Sequence, residues 1–207
     1  MYTLYFLPEA CSLATQVVLR ELNQQVTLVN VQNLDSFAQI NPVANVPVLI
    51  DNNQTLTEGA AILLHLLNKH PSYLWPKDDT TAKQSALENI MFANATMHPA
   101  YSKLFLAASL VTDTEARQSV FNVSTSSINA LWQVVEHKLA HQTFLGGEHV
   151  SPADIMLAVY SRWGAAFPVD IIIPTKSQHM IDHVLSMPSF SASLSAESHH
   201  IRSTTQA

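Results

Sequence analysis

The sequence predicts an α/β domain followed by a run of helices, and three observations carry that reading. Residues 2–7 are aromatic and apolar and residues 26–31 alternate, so both read as strands. Between them Leu13, Val17, Val18 and Leu22 recur at helical spacing, with Thr15, Gln16, Arg20 and Glu21 on the polar side. A helix between two strands makes them parallel, with a right-handed crossover. Next, residues 48–50 and 55–57 flank the turn signal Asp51-Asn52-Asn53 and predict a hairpin. An apolar helix follows with Ile62, Leu63, Leu64, Leu66 and Leu67, expected to be buried on both sides. Third, from residue 81 onward the strong signals are helix starts and helical repeats. Strand, hairpin and helix start together make the ligand-binding half of a thioredoxin-like fold.

At 207 residues the chain can form one large domain or two small ones. Charged residues make up 13% of it, against a usual share of ~25%, and Asn, Gln, Ser and Thr supply the missing polarity. So little surface charge is consistent with an interface, and a dimer is compatible with it. The net charge is −6 with 10 Lys plus Arg, which leaves no basic patch for nucleic acid. The single cysteine excludes an internal disulfide and fits a reducing compartment. The start, MYTLYFLPEACS, lacks a charged n-region and a small-residue cleavage site, so no signal peptide is expected. No apolar run reaches the ~18 residues of a membrane span. The expectation is a soluble cytoplasmic protein.

Three positions in the α/β half carry chemistry. Proline donates no hydrogen bond, so Pro47 belongs at the start of the strand over residues 48–50. An X-Pro bond is cheap to hold cis. A cis bond there turns the Val46 N–H and C=O outward, where a peptide-like ligand pairs with them as one more strand. Thr57 is expected to cap a helix whose first turn holds Glu58 and Gly59. The free N–H groups of that turn suit a carboxylate, and Glu58 suits an ammonium group. Taken singly, these are a turn proline and a helix-start acid. Cys11 is expected in the first turn of the first helix, where the dipole favours thiolate and depresses the thiol pKa. A lone cysteine is ordinarily a small inert core residue. Its place between a strand's end and a helix's start points instead to a reactive group.

Residues 71–80 hold two prolines and no sustained period, and read as a linker between residues 1–70 and 81–207. In the long helix beyond, Pro99 removes the N–H that would bond back to residue 95, so a kink is expected near His98. A helical histidine on its own is a packed or solvated residue. Thr112-Asp113-Thr114-Glu115 has the capping-box pattern and opens another helix. Ser151-Pro152-Ala153-Asp154 does so again: Ser151 caps, Pro152 takes the first helical position and Asp154 reaches back. The helix behind it, with Ile155, Met156, Leu157, Val159 and Tyr160, is expected to be the core of the second domain. Arg162-Trp163 fits an ordinary amphipathic contact or a pocket wall. His137/His141 and His179/His183 have the i,i+4 spacing of metal ligands without a third ligand, so they read as surface residues and no metal is expected. From residue 195 the composition is polar, and a frayed tail is expected.

Pro8-Glu9-Ala10-Cys11-Ser12-Leu13-Ala14, then Asn41-Pro42, Val46-Pro47 and Leu56-Thr57-Glu58-Gly59, resemble in order and spacing the bacterial glutathione S-transferases of the beta class. The similarity covers the whole N-terminal domain. It implies the cytosolic glutathione transferase fold: an α/β thioredoxin-like N-terminal domain over residues 1–70, an all-α C-terminal domain over 81–207, and a homodimer. Glutathione would be the co-substrate. Cys11 would form a mixed disulfide or a hydrogen bond with it, Ala10, Val46 and Pro47 would line its backbone, and Glu58 and Gly59 would hold its γ-glutamyl end. Residues 98–105, HPAYSKLF, are similar to the segment carrying a histidine that faces the glutathione sulphur. By that likeness His98 would project across the cleft between domains toward Cys11, polarising the thiol or shuttling its proton. A small hydrophobic electrophile would enter near Tyr101, Phe105 and Trp163. Residues 144–155 resemble the family's structural capping motif, whose role is folding.

The chain departs from the family pattern at four places. The tyrosine two residues before the proline is Phe6, and strand alternation points Tyr5 to the other face. The glycine after Pro8 is Glu9, whose charge opposes thiolate formation. The basic residue after the histidine is Pro99, and none stands among Val43-Ala44-Asn45. The expected activity is conjugation of glutathione to small hydrophobic electrophiles, with thiol–disulfide exchange through Cys11 also open. The rival readings are a non-catalytic binding or scaffold protein on this fold, and a glutathione-dependent isomerase or dehalogenase.

Overall fold

The structure, a computed structural model, describes residues 1–204, with side chains as far as His199. The described chain packs as two units: residues 1–77 together with 185–204, and residues 78–184.

In the first unit, β1 (Tyr2–Phe6), α1 (Ser12–Glu21) and β2 (Val26–Asn30) form the expected parallel unit, with Tyr2 opposite Val26 and Phe6 opposite Asn30. The hairpin is β3 (Val48–Asp51) and β4 (Gln54–Leu56), turning at Asn52, which has a φ of 55°. The sheet order is β2-β1-β3-β4, with β3 antiparallel to β1 in the register Tyr5↔Val48 and Tyr2↔Asp51. Alternation in β1 buries Tyr2, Leu4 and Phe6 and leaves Tyr5 half-buried against Phe37, as the period of two requires. Short 3₁₀ turns follow β2 at Val31–Asn33 and Phe37–Gln39.

Helix α2 (Gly59–Lys69) buries Ile62, Leu63, Leu66 and Leu67, but Leu64 is only half-buried and Ala61 and Asn68 face outward. It is therefore covered on one broad face rather than on both sides. The Asp51 carboxylate ties its later half to the end of β3, accepting from His65 Nε2 at 2.7 Å and Lys69 Nζ at 2.5 Å. The Lys69 bond holds that carboxyl below its ordinary pKa.

The last helix, α8 (Pro188–Thr204), packs against α1. The expected partition assigned all of residues 81–207 to one helical body, yet the segment from 185 belongs to the first unit. The expected fraying from residue 195 is also overturned through Thr204, since α8 continues and Glu197 is 2% exposed. Burial of its inner face decides this against a serine-rich composition. Residues 205–207 of that expected tail lie outside the described residues.

The second unit is helical: α3 (Thr80–Phe92), α4 (His98–Leu110), α5 (Thr114–Lys138), α6 (Pro152–Ser161) and α7 (Thr175–Ser186). The expected break before Pro99 is a π-helical turn over Ala93–Met97. Asp113, not Thr112, caps α5, accepting from Ala116 N–H at 2.7 Å. Helix α6 is the core, with Pro152 through Tyr160 all buried. Its capping box forms as expected. The Ser151 hydroxyl accepts from the Asp154 N–H, and Asp154 accepts from the Ser151 N–H at 2.8 Å and its hydroxyl at 2.6 Å. Asp154 also accepts from Leu145 N–H at 2.9 Å, so one carboxylate fixes both the helix start and the preceding turn. Gly146 is required in that turn, because a Cβ there would stand 2.5 Å from the His149 carbonyl oxygen. Burial pushes the Asp154 carboxyl up to about 6, while its hydrogen bonds to Ser151, Leu145 and Gly146 pull it down.

Asp154→Ala leaves several buried donors unpaired and is expected to cost about 2 kcal/mol or more. Chemical denaturation measures this directly, and an unchanged midpoint would contradict the role given to the carboxylate.

Candidate functional site

The site in the first unit is built on the turn between β1 and α1. The Ser12 hydroxyl bonds the Leu7 carbonyl at 3.2 Å and the Ala10 N–H bonds the same carbonyl at 3.2 Å, closing the turn. Glu9 within it has a φ of 61°, in the left-handed region at the position where the family pattern has glycine. Cys11 follows as the N-cap of α1, one residue earlier than the expected first turn.

Val46-Pro47 is cis, as expected, and buried Pro47 leads into β3. Asn41 braces the loop before it, donating to the Asn45 carbonyl at 2.8 Å and accepting from Val43 N–H at 3.2 Å. The Cys11 S–H donates to the Val46 carbonyl at 3.3 Å. The lone thiol and the predicted ligand-pairing residue are thus direct neighbours, with half-buried Ala10 beside them.

Glu58 departs from expectation. It is the N-cap of α2 with a φ of 66°, not a first-turn residue behind a Thr57 cap, because a left-handed backbone does not continue a right-handed helix. Its exposed side chain makes no capping bond, so both the carboxylate and the N–H groups starting at Gly59 are left for a ligand. Its charge reaches Cys11.

The expected low thiol pKa is overturned. Burial pushes Cys11 up to about 11. The backbone N–H groups of Cys11 and Ser12 lower it without compensating, and the Glu58 charge raises it further. The opposing carboxylate is therefore Glu58, where sequence reasoning had blamed Glu9. At neutral pH Cys11 is a protonated thiol.

In the second unit, His98 opens α4 with its ring edge-on to Tyr160 and Trp163, both centroids 5.2 Å away. Its Nδ1 lies 3.3 Å from the Ser102 hydroxyl, which donates to the His98 carbonyl at 3.0 Å. Burial lowers the His98 pKa below 6.5, so the ring is neutral at pH 7. Trp163 also meets Tyr101 and Phe105, at 6.0 and 5.7 Å. Phe105 is 44% exposed and available to a ligand. Tyr101 is not: it is 0% exposed and its hydroxyl accepts from Trp132 Nε1–H at 3.0 Å. The expectation that Tyr101 meets substrate is corrected, since core packing beneath Trp163 uses the whole ring. Sequence reasoning missed Phe167, whose ring stands edge-on to Phe105 at 4.8 Å, and Tyr160 as a neighbour of His98. Among the described residues no three His, Cys, Asp or Glu side chains gather as a metal site, and no helix is long and apolar enough to cross a membrane.

Residues 1–68 match the family described as glutathione S-transferase, N-terminal domain. Beyond that domain, a glutathione S-transferase, GST-4.5, from Xanthomonas campestris pv. campestris is 28% identical, covering 94% of this chain and 98% of its own. The first domain thus belongs to that family, and the chain as a whole is similar to bacterial glutathione S-transferases. A bacterial beta class glutathione S-transferase from Sphingomonas chungbukensis superposes with a TM-score of 0.82 at 27% identity, covering 94% of this chain and 98% of its own. A sphingomonad glutathione S-transferase complexed with glutathione does so with a TM-score of 0.83 at 28% identity, covering 95% and 98%. The transferase fold and the bacterial resemblance expected from the sequence are both borne out.

A thiol with a pKa near 11 reacts slowly at neutral pH. Alkylation of Cys11 by iodoacetamide, followed by mass spectrometry, is expected to accelerate with pH up to about 11. A plateau near neutrality would mean that the free protein holds a thiolate.

Proposed function

We propose that this chain conjugates glutathione to small hydrophobic electrophiles, with the tripeptide held on the first unit by Cys11, Val46, Glu58 and the start of α2. The observation that carries this reading is the Cys11 S–H bond to the Val46 carbonyl. It puts a hydrogen-bond donor for sulphur beside a backbone acceptor at the entry to β3. On binding, an amide N–H of glutathione takes over the Val46 carbonyl, as an added strand would. The released Cys11 S–H then turns to the glutathione sulphur. A protonated Cys11 stabilises a glutathione thiolate by donation and is itself a poor nucleophile, so hydrogen bonding outranks mixed-disulfide formation among the two roles implied by the resemblance.

Glu58 pairs with the ligand's ammonium group, and the unpaired N–H groups at the start of α2 receive its α-carboxylate. His98, neutral at pH 7, is assigned the proton-accepting role, which leaves the attacking sulphur as thiolate. The electrophile is given to the aromatic surface of Phe105, Phe167 and Trp163 in the helical domain. The chain's low charge content supports a homodimer, and its lone thiol supports a reducing compartment such as the cytoplasm.

Three measurements test this. Isothermal titration with glutathione is expected to give saturable heat, while none at millimolar ligand would favour a scaffold protein. Cys11→Ala is expected to lower turnover of a chlorinated aromatic electrophile about tenfold or more, the scale of a lost donor to a developing anion. Unchanged kinetics would remove Cys11 from the mechanism. After incubation with oxidised glutathione little Cys11 adduct is expected at neutral pH, and a rapid stoichiometric adduct would restore disulfide exchange.

A further inference from the structure

We propose that Glu197 is a positioning residue for the Cys11 thiol, its carboxylate reaching from α8 to fix the turn on which that thiol is carried. Placing the thiol in a glutathione site rests on the function proposed above, whereas the positioning itself does not.

Glu197 is 2% exposed, and both of its carboxylate oxygens are engaged. One accepts from the Glu9 backbone N–H at 2.9 Å, the other from Gln16 Nε2 at 2.6 Å. These contacts bracket Cys11, two residues before it and five after. Gln16 is itself 0% exposed, and its side-chain oxygen has no partner among the described residues, so Glu197 alone orients that amide. Glu9 is the strained member of the turn, a non-glycine residue at a φ of 61°. Such a backbone persists where its surroundings over-determine it, and a carboxylate acceptor makes a stronger bond than a neutral one. Removing it leaves a strained residue with one bond fewer directly ahead of the thiol. General docking of α8 does not need this bond, because Arg20 Nε bonds Ser193 Oγ at 3.1 Å farther along the same two helices.

The experiment follows the pH profile of Cys11 alkylation in the free full-length protein. Glu197→Ala is expected to loosen the turn and expose the thiol, moving its midpoint from about 11 toward 9.0. Alkylation at neutral pH then quickens roughly tenfold for each unit of that fall. Glu197→Gln still accepts from Glu9 and donates to a turned Gln16 amide, so it should keep the wild-type profile. Arg20→Ala loosens the helix pair away from the turn and should keep it too. If Glu197→Ala does not fold, Glu197→Asp, one methylene shorter, withdraws the acceptor and should give the same shift. An unmoved profile in Glu197→Ala or Glu197→Asp overturns the proposal, as does an equal shift in Arg20→Ala. With glutathione, Glu197→Ala should raise KM several-fold with a smaller effect on kcat. Absence of glutathione binding in the wild type would sink the proposed function while the alkylation arm still decides the positioning.

Discussion

The site depends on the register between β1 and β3. Tyr5 pairs with Val48 in an antiparallel ladder, so the chain leaving β1 and the chain entering β3 lie at the same end of the sheet. One brings Cys11 and the other brings Val46, and they meet at hydrogen-bonding distance. A slip of one residue would turn Leu4 and Phe6, both 0% exposed, onto the opposite face, so the apolar pattern of one strand fixes the geometry of the thiol. Packing of α1 and α2 against that sheet then sets where their N-termini point.

Most of this framework was legible in the sequence because it rests on local chemistry. Proline at the head of a strand, a turn of Asp and Asn, and Ser-Pro-Ala-Asp before an apolar run each specify their own backbone. What escaped the sequence was decided by distant partners. The Cys11 pKa follows from how the surrounding chain desolvates the thiol, which the helix position does not encode. Glu58 looked like a first-turn acid and is a left-handed boundary residue, a difference of one position that propensity does not resolve. Tyr101 and Phe105 lie on the same helix only four residues apart, yet one is sealed and the other open. The Trp132 and Phe167 side chains that decide this come from elsewhere in the chain. In α8, serines and a glutamate face inward, and a search for apolar periodicity passes over them.

Burial leaves a protonated thiol in the first unit and a neutral histidine in the second. Both groups are uncharged for one reason, burial, which raises the thiol pKa and lowers that of the imidazole. Among the described residues the charged side chain that acts on the thiol is Glu58, and it disfavours an anion there. In the function proposed above, stabilisation of a ligand thiolate falls to the Cys11 S–H, at the cost of its bond to Val46.

The return of the final helix to the first unit has a consequence for biosynthesis. During translation the strands and helices of residues 1–77 emerge early, but α1 receives its partner helix only after the whole intervening segment has left the ribosome. Until then the Gln16 amide and the Glu9 N–H lack their carboxylate and α1 lacks the cover of α8. The unit begun first is completed only after the second has been made, so the thiol-bearing turn acquires its final shape once α8 has emerged.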